Sequence, residues 1–572
     1  MESATAALTA AALYVTLSDG DTGMLGLLVT PLLAATAGMI AARLLVVLAR
    51  GAQPRALRRG KPAAALALAQ LGRRPELFSL TVLVTVAASL LTFGVAAWDV
   101  ADRNRQLTAD DEFGAHQIYR LAGVDARQLM DAVEDIDPDG ESLLAAVRTF
   151  ERYNSEDVTV VSLQTDRLAS VVDWRGHDDA AKHAVAQELH PQSTPPLIVK
   201  DELTVEASAG ELSSEAPLRL VAQLAGNGDG PVNVRLGDLV EGDAEYTAEL
   251  PACPDGCRLV GLGVSRSPAD FAPVDFSLRV ASLADAGGPL EADLGADGAW
   301  RSKVMPQESA LAVAPDADGL RIEGSSESPQ DLIAEHAVVP AAVPTVLSGD
   351  PIDESETGRF TFPGPHGELQ DYELVDTAAS VPRGGNRALL VDLEYTAGVA
   401  ETYRPLSSRS GVSFEIWAGE NAPEDLTALL REHDVTVTAV EARDDYVDQL
   451  DKQAPALALR LYVMAGAAAL ALAAVAVLLA AQAGRRGRGY DYAALRLAGV
   501  PPATLRDSLL REHLGWIAAA LAVGVGAGLA GVALLLPRVP LVTTDPPVVP
   551  PEYQLGPWWL PAALIAMTAA LA

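Results

Sequence analysis

The chain has 572 residues, is 49% hydrophobic and carries a formal net charge of −34. Those values fit one globular domain poorly. They fit a chain whose apolar residues are gathered into membrane spans and whose acids lie in a water-exposed segment. The charge also argues against nucleic acid as a partner, because phosphates would be repelled.

A bilayer core takes about 20 mostly apolar residues per helix. Residues 1–22 hold a partial apolar helix, Ala4 to Leu17, and a short outer loop. That helix is too short to span, and it lacks the basic start and cleavage site of a signal peptide. Residues 23–49 form the first expected span, with Arg43 near enough to one end to snorkel. Residues 50–75 form a basic loop and elbow helix, in which Arg50, Arg55, Arg58, Arg59, Lys61, Arg73 and Arg74 occur without an acid. A second span covers residues 76–98.

The long segment that follows has three expected parts. Residues 99–196 alternate strand and helix patterns: HQIYRL reads as a strand, VDARQLMDAVEDI as a helix and VTVVSL as a strand. Residues 197–345 contain short alternating runs such as LTVEASAG, LRLVAQLAG and FSLRVASL, separated by Gly, Asp and Pro, which suggest a β-sandwich. Residues 346–456 return to α/β, with VSFEIWAG and VTVTAVEA as strands around the helix APEDLTALLREHD. The first and third parts resemble each other, so one α/β unit split by an inserted β domain is the natural reading.

Both cysteines lie in the middle part, Cys253 and Cys257 of PACPDGC. The Pro-Asp-Gly turn could close them into a disulfide loop if the segment is outside the cytoplasm. The alternatives are free thiols or half of a metal site, although no second cysteine pair exists to complete a zinc centre.

Residues 457–484 form a third span, with Arg460 near its start. Residues 485–512 are charged and broken by Gly and Pro. A fourth span covers residues 513–536, an outer loop residues 537–557, and a truncated span residues 558–572. Both ends read as cuts through a larger protein. The Lys and Arg bias of the two short loops, residues 50–75 and the stretch opened by Arg485, Arg486 and Arg488, places those loops in the cytoplasm and residues 99–456 outside. The expected fold is therefore an α-helical transmembrane bundle with a large extracytoplasmic α/β domain carrying an inserted β-sandwich.

Motifs of catalysis are missing. The chain has no G-x-x-x-x-G-K-[ST], no G-x-S-x-G and no H-E-x-x-H, so neither a P-loop nor those hydrolase sites are expected. No catalytic residue, cofactor or metal site is assigned. His177, His183 and His190 are spaced by six and seven residues, which does not stack all three on one helix face, and a solvated helix explains them. Gly524 and Gly528 form a G-x-x-x-G in an apolar helix, suited either to packing within the bundle or to a subunit interface.

The charged stretch from Gly489 to Trp516 is more informative. Tyr490, Ala494 and Leu497 share one helix face. Gly499 can end that helix, and Pro501 or Pro502 can start the next. Leu505, Leu509 and Glu512 share a second face, with Arg506 and Arg511 elsewhere. Two short amphipathic helices at the membrane surface suit docking to a protein, or they lie in the headgroup layer.

The pattern R-x-x-D-x-x-x-L-R-x-x-G, at Arg488, Asp491, Leu495, Arg496 and Gly499, followed by Glu512 and a Gly-rich span, resembles the signature of FtsX-like permeases. These are the membrane subunits of MacB- and Lol-type ABC systems. Asp491 departs from the family, which usually has Glu there. The layout is similar over about residues 60–572: one span, a large outer domain, then three spans. Residues 1–50 look like linker helices of a long, duplicated actinobacterial member. The resemblance implies that Arg488, Asp491, Leu495, Arg496, Gly499 and Glu512 couple the chain to a separate ABC-type ATPase. It implies mechanotransmission: ATP-driven closure of the ATPase moves the outer domain, which handles lipoprotein, peptide or drug. A dimer of permease halves in the plasma membrane is implied as well, and no enzymatic activity of the chain itself. The alternative is a signalling or scaffold subunit that activates an extracytoplasmic cell-wall hydrolase.

Overall fold

The computed structural model describes residues 9–10, 14, 25–73, 76–153, 156–191, 195–210, 212–214, 216–225, 231–250, 256–267, 272–302, 309–349, 358–403, 405–538 and 551–554. The chain divides into two units, residues 1–108 with 445–572 and residues 109–444.

Among the described residues the helices are α1 (Leu25–Arg58), α2 (Pro62–Leu71), α3 (Glu76–Phe113), α4 (Ala126–Ile136), the single turn α5 (Leu168–Val171), α6 (Asp179–Leu189), α7 (Leu393–Tyr403), α8 (Leu426–Glu432), α9 (Arg443–Asp451), α10 (Ala454–Ala483), α11 (Arg485–Leu497) and α12 (Pro502–Leu535). Four of them, α1, α3, α10 and α12, are long and apolar enough to cross a membrane.

Three of these run past the expected span limits. Helix α1 continues to Arg58, so residues 50–58 of the expected basic loop are helical. Helix α3 continues from the apolar stretch to Phe113, because residues 95–113 contain neither Gly nor Pro and Arg103 pairs with Asp99 one turn away at 2.8 Å. Helix α12 has no break after Pro502, so the second short amphipathic helix and the span behind it are one element.

In the helical unit, small residues let backbones approach. A side chain at Gly466 of α10 would meet Leu91 Cα of α3 at 2.7 Å, and one at Gly531 of α12 would meet Thr30 of α1 at 3.2 Å. Thr85 donates to the Ala520 carbonyl at 3.2 Å. Arg105 is buried, pairs with Asp451 at 2.7 Å and lies over the Trp98 ring.

The sheet-rich unit contains a nine-stranded mixed sheet and two six-stranded sheets. The nine strands are β1 (Gln117–Ala122), β2 (Leu143–Tyr153) and β3 (Glu156–Leu163), then, after the intervening strands, β16 (Val343–Ser348), β17 (Arg359–Pro363), β18 (Leu369–Ala378), β19 (Ala388–Asp392), β20 (Ser413–Ala418) and β21 (Thr436–Ala442). Their order is β17-β18-β16-β19-β3-β2-β20-β1-β21. Early and late strands interleave: β19 runs parallel to β3, and β20 lies antiparallel between β2 and β1. Neither half completes this frame alone. Leu129 and Val133 of α4, Leu393 of α7 and Leu430 of α8 share a core with Val147 and Ile416 of the sheet.

Between the halves come β4 (Leu197–Val199), β5 (Glu202–Ala209), β6 (Arg219–Ala225), β7 (Pro231–Asp238), β8 (Gly242–Glu249), β9 (Cys257–Ser265), β10 (Val274–Asp285), β11 (Gly288–Pro289), β12 (Trp300–Ser302), β13 (Ser309–Asp316), β14 (Gly319–Ser326) and β15 (Leu332–His336). One sheet has the order β13-β14-β10-β5-β8 with β11 beside β10; the other has β12-β15-β9-β6-β7 with β4 beside β9. A single core takes Val205, Leu278 and Ile322 from the first and Leu220, Leu262 and Ala334 from the second. In β5 the alternation is strict: Leu203, Val205, Ala207 and Ala209 are buried and Glu202 and Glu206 exposed, as a strand with one wet face requires.

Candidate functional site

The stretch after α10 turns a corner with defined geometry. Helix α11 ends in a Schellman arrangement: the Val500 N–H donates to the Leu495 carbonyl at 3.1 Å, and the Gly499 N–H to the Arg496 carbonyl at 3.0 Å. This closure needs a left-handed residue, and Gly499 supplies it at φ +89°. Pro501 is then extended, Pro502 opens α12, and the Thr504 N–H donates to the Pro501 carbonyl at 3.1 Å. Proline suits both places, having a fixed φ and no N–H to leave unbonded.

The corner presents a mixed surface. Tyr490 is 82% exposed and Leu497 91% exposed, so the apolar face that the spacing predicts faces solvent. Asp491, Arg496 and Gly499 are also exposed, and Leu495 is half-buried. Arg488 belongs to α11, and its side chain lies outside the described ones. The surface offers a guanidinium, a carboxylate, a phenol and an isobutyl group on a hydrogen-bonded turn.

Glu512 does not join this surface. It is 1% exposed, because Leu505, Ser508, Glu512 and Trp516, spaced by three, four and four, make the buried face of α12. Arg506 and Arg511 are exposed, as the spacing predicts. Gly524 and Gly528 pack within the chain: a side chain at Gly524 would meet the Thr85 carbonyl at 2.7 Å, and one at Gly528 the Ser89 carbonyl at 2.8 Å, both on α3.

Cys257 is disulfide-bonded, and Cys253 lies outside the described residues. Of the three histidines, His177 stacks on Trp174 and His183 is exposed. His190, at the end of α6, stacks on Tyr395 and sits 3.1 Å from Asp392. Its hydrogen bond to Asp392 raises its pKa above the ordinary 6.5 against the opposing effect of burial. No group of three or more His, Cys, Asp or Glu among the described residues could hold a metal ion.

A second concentration of charge has no signal in the local sequence. Glu415 of β20 is fully buried. Arg383 lies 3.2 Å away, Arg148 of β2 lies 3.3 Å away, and the Trp417 indole N–H donates to it at 3.0 Å. Arg383 also pairs with Glu441 of β21 at 2.8 Å. Burial alone would push the Glu415 carboxyl up, but Arg383, Arg148 and the hydrogen bonds from Arg383 and Trp417 outweigh it and hold it below 4.5. Arg148, Arg383, Glu415 and Glu441 are paired among themselves, so they tie β2, β20 and β21 together.

No protein-family model and no curated protein matches this chain.

Proposed function

We propose that the chain is the permease subunit of an ABC transporter of the FtsX-like type, which docks a separate ATPase at the α11–α12 corner and uses ATP-driven motion to work an extracytoplasmic domain. The observation that carries this reading is the corner itself. A Gly-terminated helix bearing exposed Tyr490, Asp491, Arg496 and Leu497 stands between two helices long and apolar enough to cross a membrane. Tyr490 and Leu497, exposed beside Asp491 and Arg496, give that turn the mixed apolar and charged surface that suits a protein partner. The outer face of α10, with Leu461, Met464 and Leu472 each more than 60% exposed, suits lipid or a second permease half. The acid-rich sheet unit and the basic loops suit opposite sides of the plasma membrane. In this reading the chain performs no catalysis and holds no cofactor, and the sheets between β3 and β16 are a β-sandwich insert that handles lipoprotein, peptide or drug.

The test is ATP hydrolysis by the chain reconstituted with a candidate ABC-type ATPase from the same genome. Arg496→Glu reverses the charge of the docking surface, where a carboxylate on the partner would meet the guanidinium. The variant is expected to insert normally, to lose the bound ATPase and to abolish permease-dependent ATP turnover. Wild-type binding and turnover in Arg496→Glu would remove the docking assignment and leave the corner as a headgroup-layer element.

A further inference from the structure

One face of α1 changes character along its length. Ile40, Leu44, Val47, Gly51, Arg55 and Arg58 are spaced by four, three, four, four and three, so they lie on one side of the helix. Ile40, Leu44 and Val47 are each more than half exposed, Gly51 opens onto free space, and Arg55 and Arg58 are exposed. The opposite side holds the buried Ala42 and Ala49, and Ala49 shares a core with Leu71 of α2 and Trp516 of α12. The stripe is therefore the side of α1 that the described helices leave uncovered.

The turn after α1 adds two cations. The Gly60 N–H donates to the Leu57 carbonyl and the Lys61 N–H to the Ala56 carbonyl, both at 3.1 Å, with Gly60 left-handed at φ +68°. Arg59 and Lys61 on this closed turn are exposed. No Asp or Glu occurs between Asp21 and Glu76, and among the described residues none of Arg55, Arg58, Arg59 and Lys61 is held in an ion pair. Arg50 differs, because its guanidinium donates to the Gly72 carbonyl at 3.0 and 3.2 Å. The dipole of α1 favours cations in its last turn, which accounts for Arg55 and Arg58 but not for Arg59 and Lys61 beyond the helix.

The spacing along the axis matches a lipid boundary. Arg55 lies about 12 Å past Val47, and a headgroup layer is roughly 5–8 Å deep. Helix side chains tilt toward the N-terminus, here toward the apolar stripe, and long arginine stems directed that way bring the guanidiniums back to the level of lipid phosphates.

We propose that the basic end of α1 and its turn bind the phosphates of anionic lipid, with the acyl chains along Ile40, Leu44 and Val47. This rests on α1 crossing the membrane and not on the docking of an ATPase. Orientation by positive charge requires only that cations stay on one side. A lipid site requires in addition a preference for anionic headgroups carried by these four residues.

The experiment uses the full chain in detergent, with an environment-sensitive dye on Gly51→Cys in the middle of the stripe. Cys257 is disulfide-bonded and does not take the dye. Phosphatidylglycerol and phosphatidylcholine are titrated separately. Phosphatidylglycerol is expected to half-saturate the signal at a concentration at least about tenfold lower, and the preference should shrink at high salt. Arg55→Gln/Arg58→Gln/Arg59→Gln/Lys61→Gln should bring the two lipids within about twofold of each other at an unchanged thermal midpoint. Arg55→Lys/Arg58→Lys/Arg59→Lys should keep the preference, because charge is what the headgroup reads. The proposal fails if the two lipids bind alike, if the glutamine variant keeps the preference, if salt has no effect, or if inorganic phosphate at equal concentration displaces phosphatidylglycerol, which would make the ligand a free anion. A glutamine variant that keeps the preference and loses a bound ATPase would assign the basic end to a protein partner instead. Flotation with neutral phosphatidylcholine vesicles tests the membrane placement separately. A chain that floats without preferring phosphatidylglycerol overturns this proposal alone, and a chain that does not float overturns the placement.

Discussion

Glu415 keeps its negative charge inside a sheet because Arg383 and Arg148 flank it. Its pKa is depressed below 4.5 in the folded chain, so it contributes stability that is present above about pH 4.5 and lost as pH falls through the lower folded value. Replacing one partner of such a cluster leaves buried charge uncompensated, which costs about 3–5 kcal/mol. Glu441 still pairs with Arg383 and sets the lower end of that range. Glu415→Gln is expected to lower the thermal midpoint at neutral pH and to flatten its fall toward acid, read by thermal unfolding across that range. His190 works with the opposite sign. Its folded pKa is raised by Asp392, so its contribution is complete below about pH 6.5 and disappears as pH rises through the higher folded value. His190→Gln should therefore destabilise the chain at about pH 6 and have little effect at about pH 9. An equal loss at both values would show that the imidazole acts only through its stacking on Tyr395.

At the scale of elements, glycines divide into those that set a conformation and those that set a distance. Gly499 belongs to the first kind. A side chain there would meet nothing within 4 Å, so Gly499→Val costs only backbone strain of roughly 1–2 kcal/mol. Asparagine tolerates the left-handed region. If the corner docks an ATPase as proposed, Gly499→Asn should keep permease-dependent ATP turnover where Gly499→Val loses it; equal loss in both would point to side-chain obstruction instead. Gly524 belongs to the second kind, since a side chain would sit 2.7 Å from Ala88 and from the Thr85 carbonyl. Gly524→Val must separate α12 from α3, an overpacking cost of about 1–3 kcal/mol. Gly526, on the same helix, faces open space, and Gly526→Val should be tolerated. Thermal unfolding in detergent distinguishes the two, and equal midpoints would show that α12 does not depend on that close approach.

At the scale of the whole molecule, the arrangement across a membrane is tested by labelling. Arg59→Cys and Arg485→Cys are expected to resist an impermeant thiol reagent in intact cells, and Asp318→Cys to react. The Lys and Arg asymmetry of the short loops is the warrant. Cys257 is already disulfide-bonded and does not add to the signal. Labelling at Arg59→Cys would reverse the orientation.

The amino-acid sequence by itself determined the features that repeat over short distances. Four apolar stretches of membrane length, the alternation of β5, the helix of α4 and the Gly499–Pro502 corner are all legible there, because each follows from a period of two or 3.6 residues or from the φ preference of one residue. Helix ends were less legible: hydropathy marks where apolar residues stop, whereas α3 continues for as long as nothing breaks its hydrogen bonds. The tertiary structure alone decided the rest. It interleaves β19 with β3 and β20 with β1, seats Glu415 between Arg148 and Arg383, turns Glu512 inward, and brings Arg127 and Arg258 onto Glu401. Glu401 lies 274 residues from Arg127 and 143 from Arg258. At such separations no local pattern links the partners, and strand register and the packing of one core choose who meets whom.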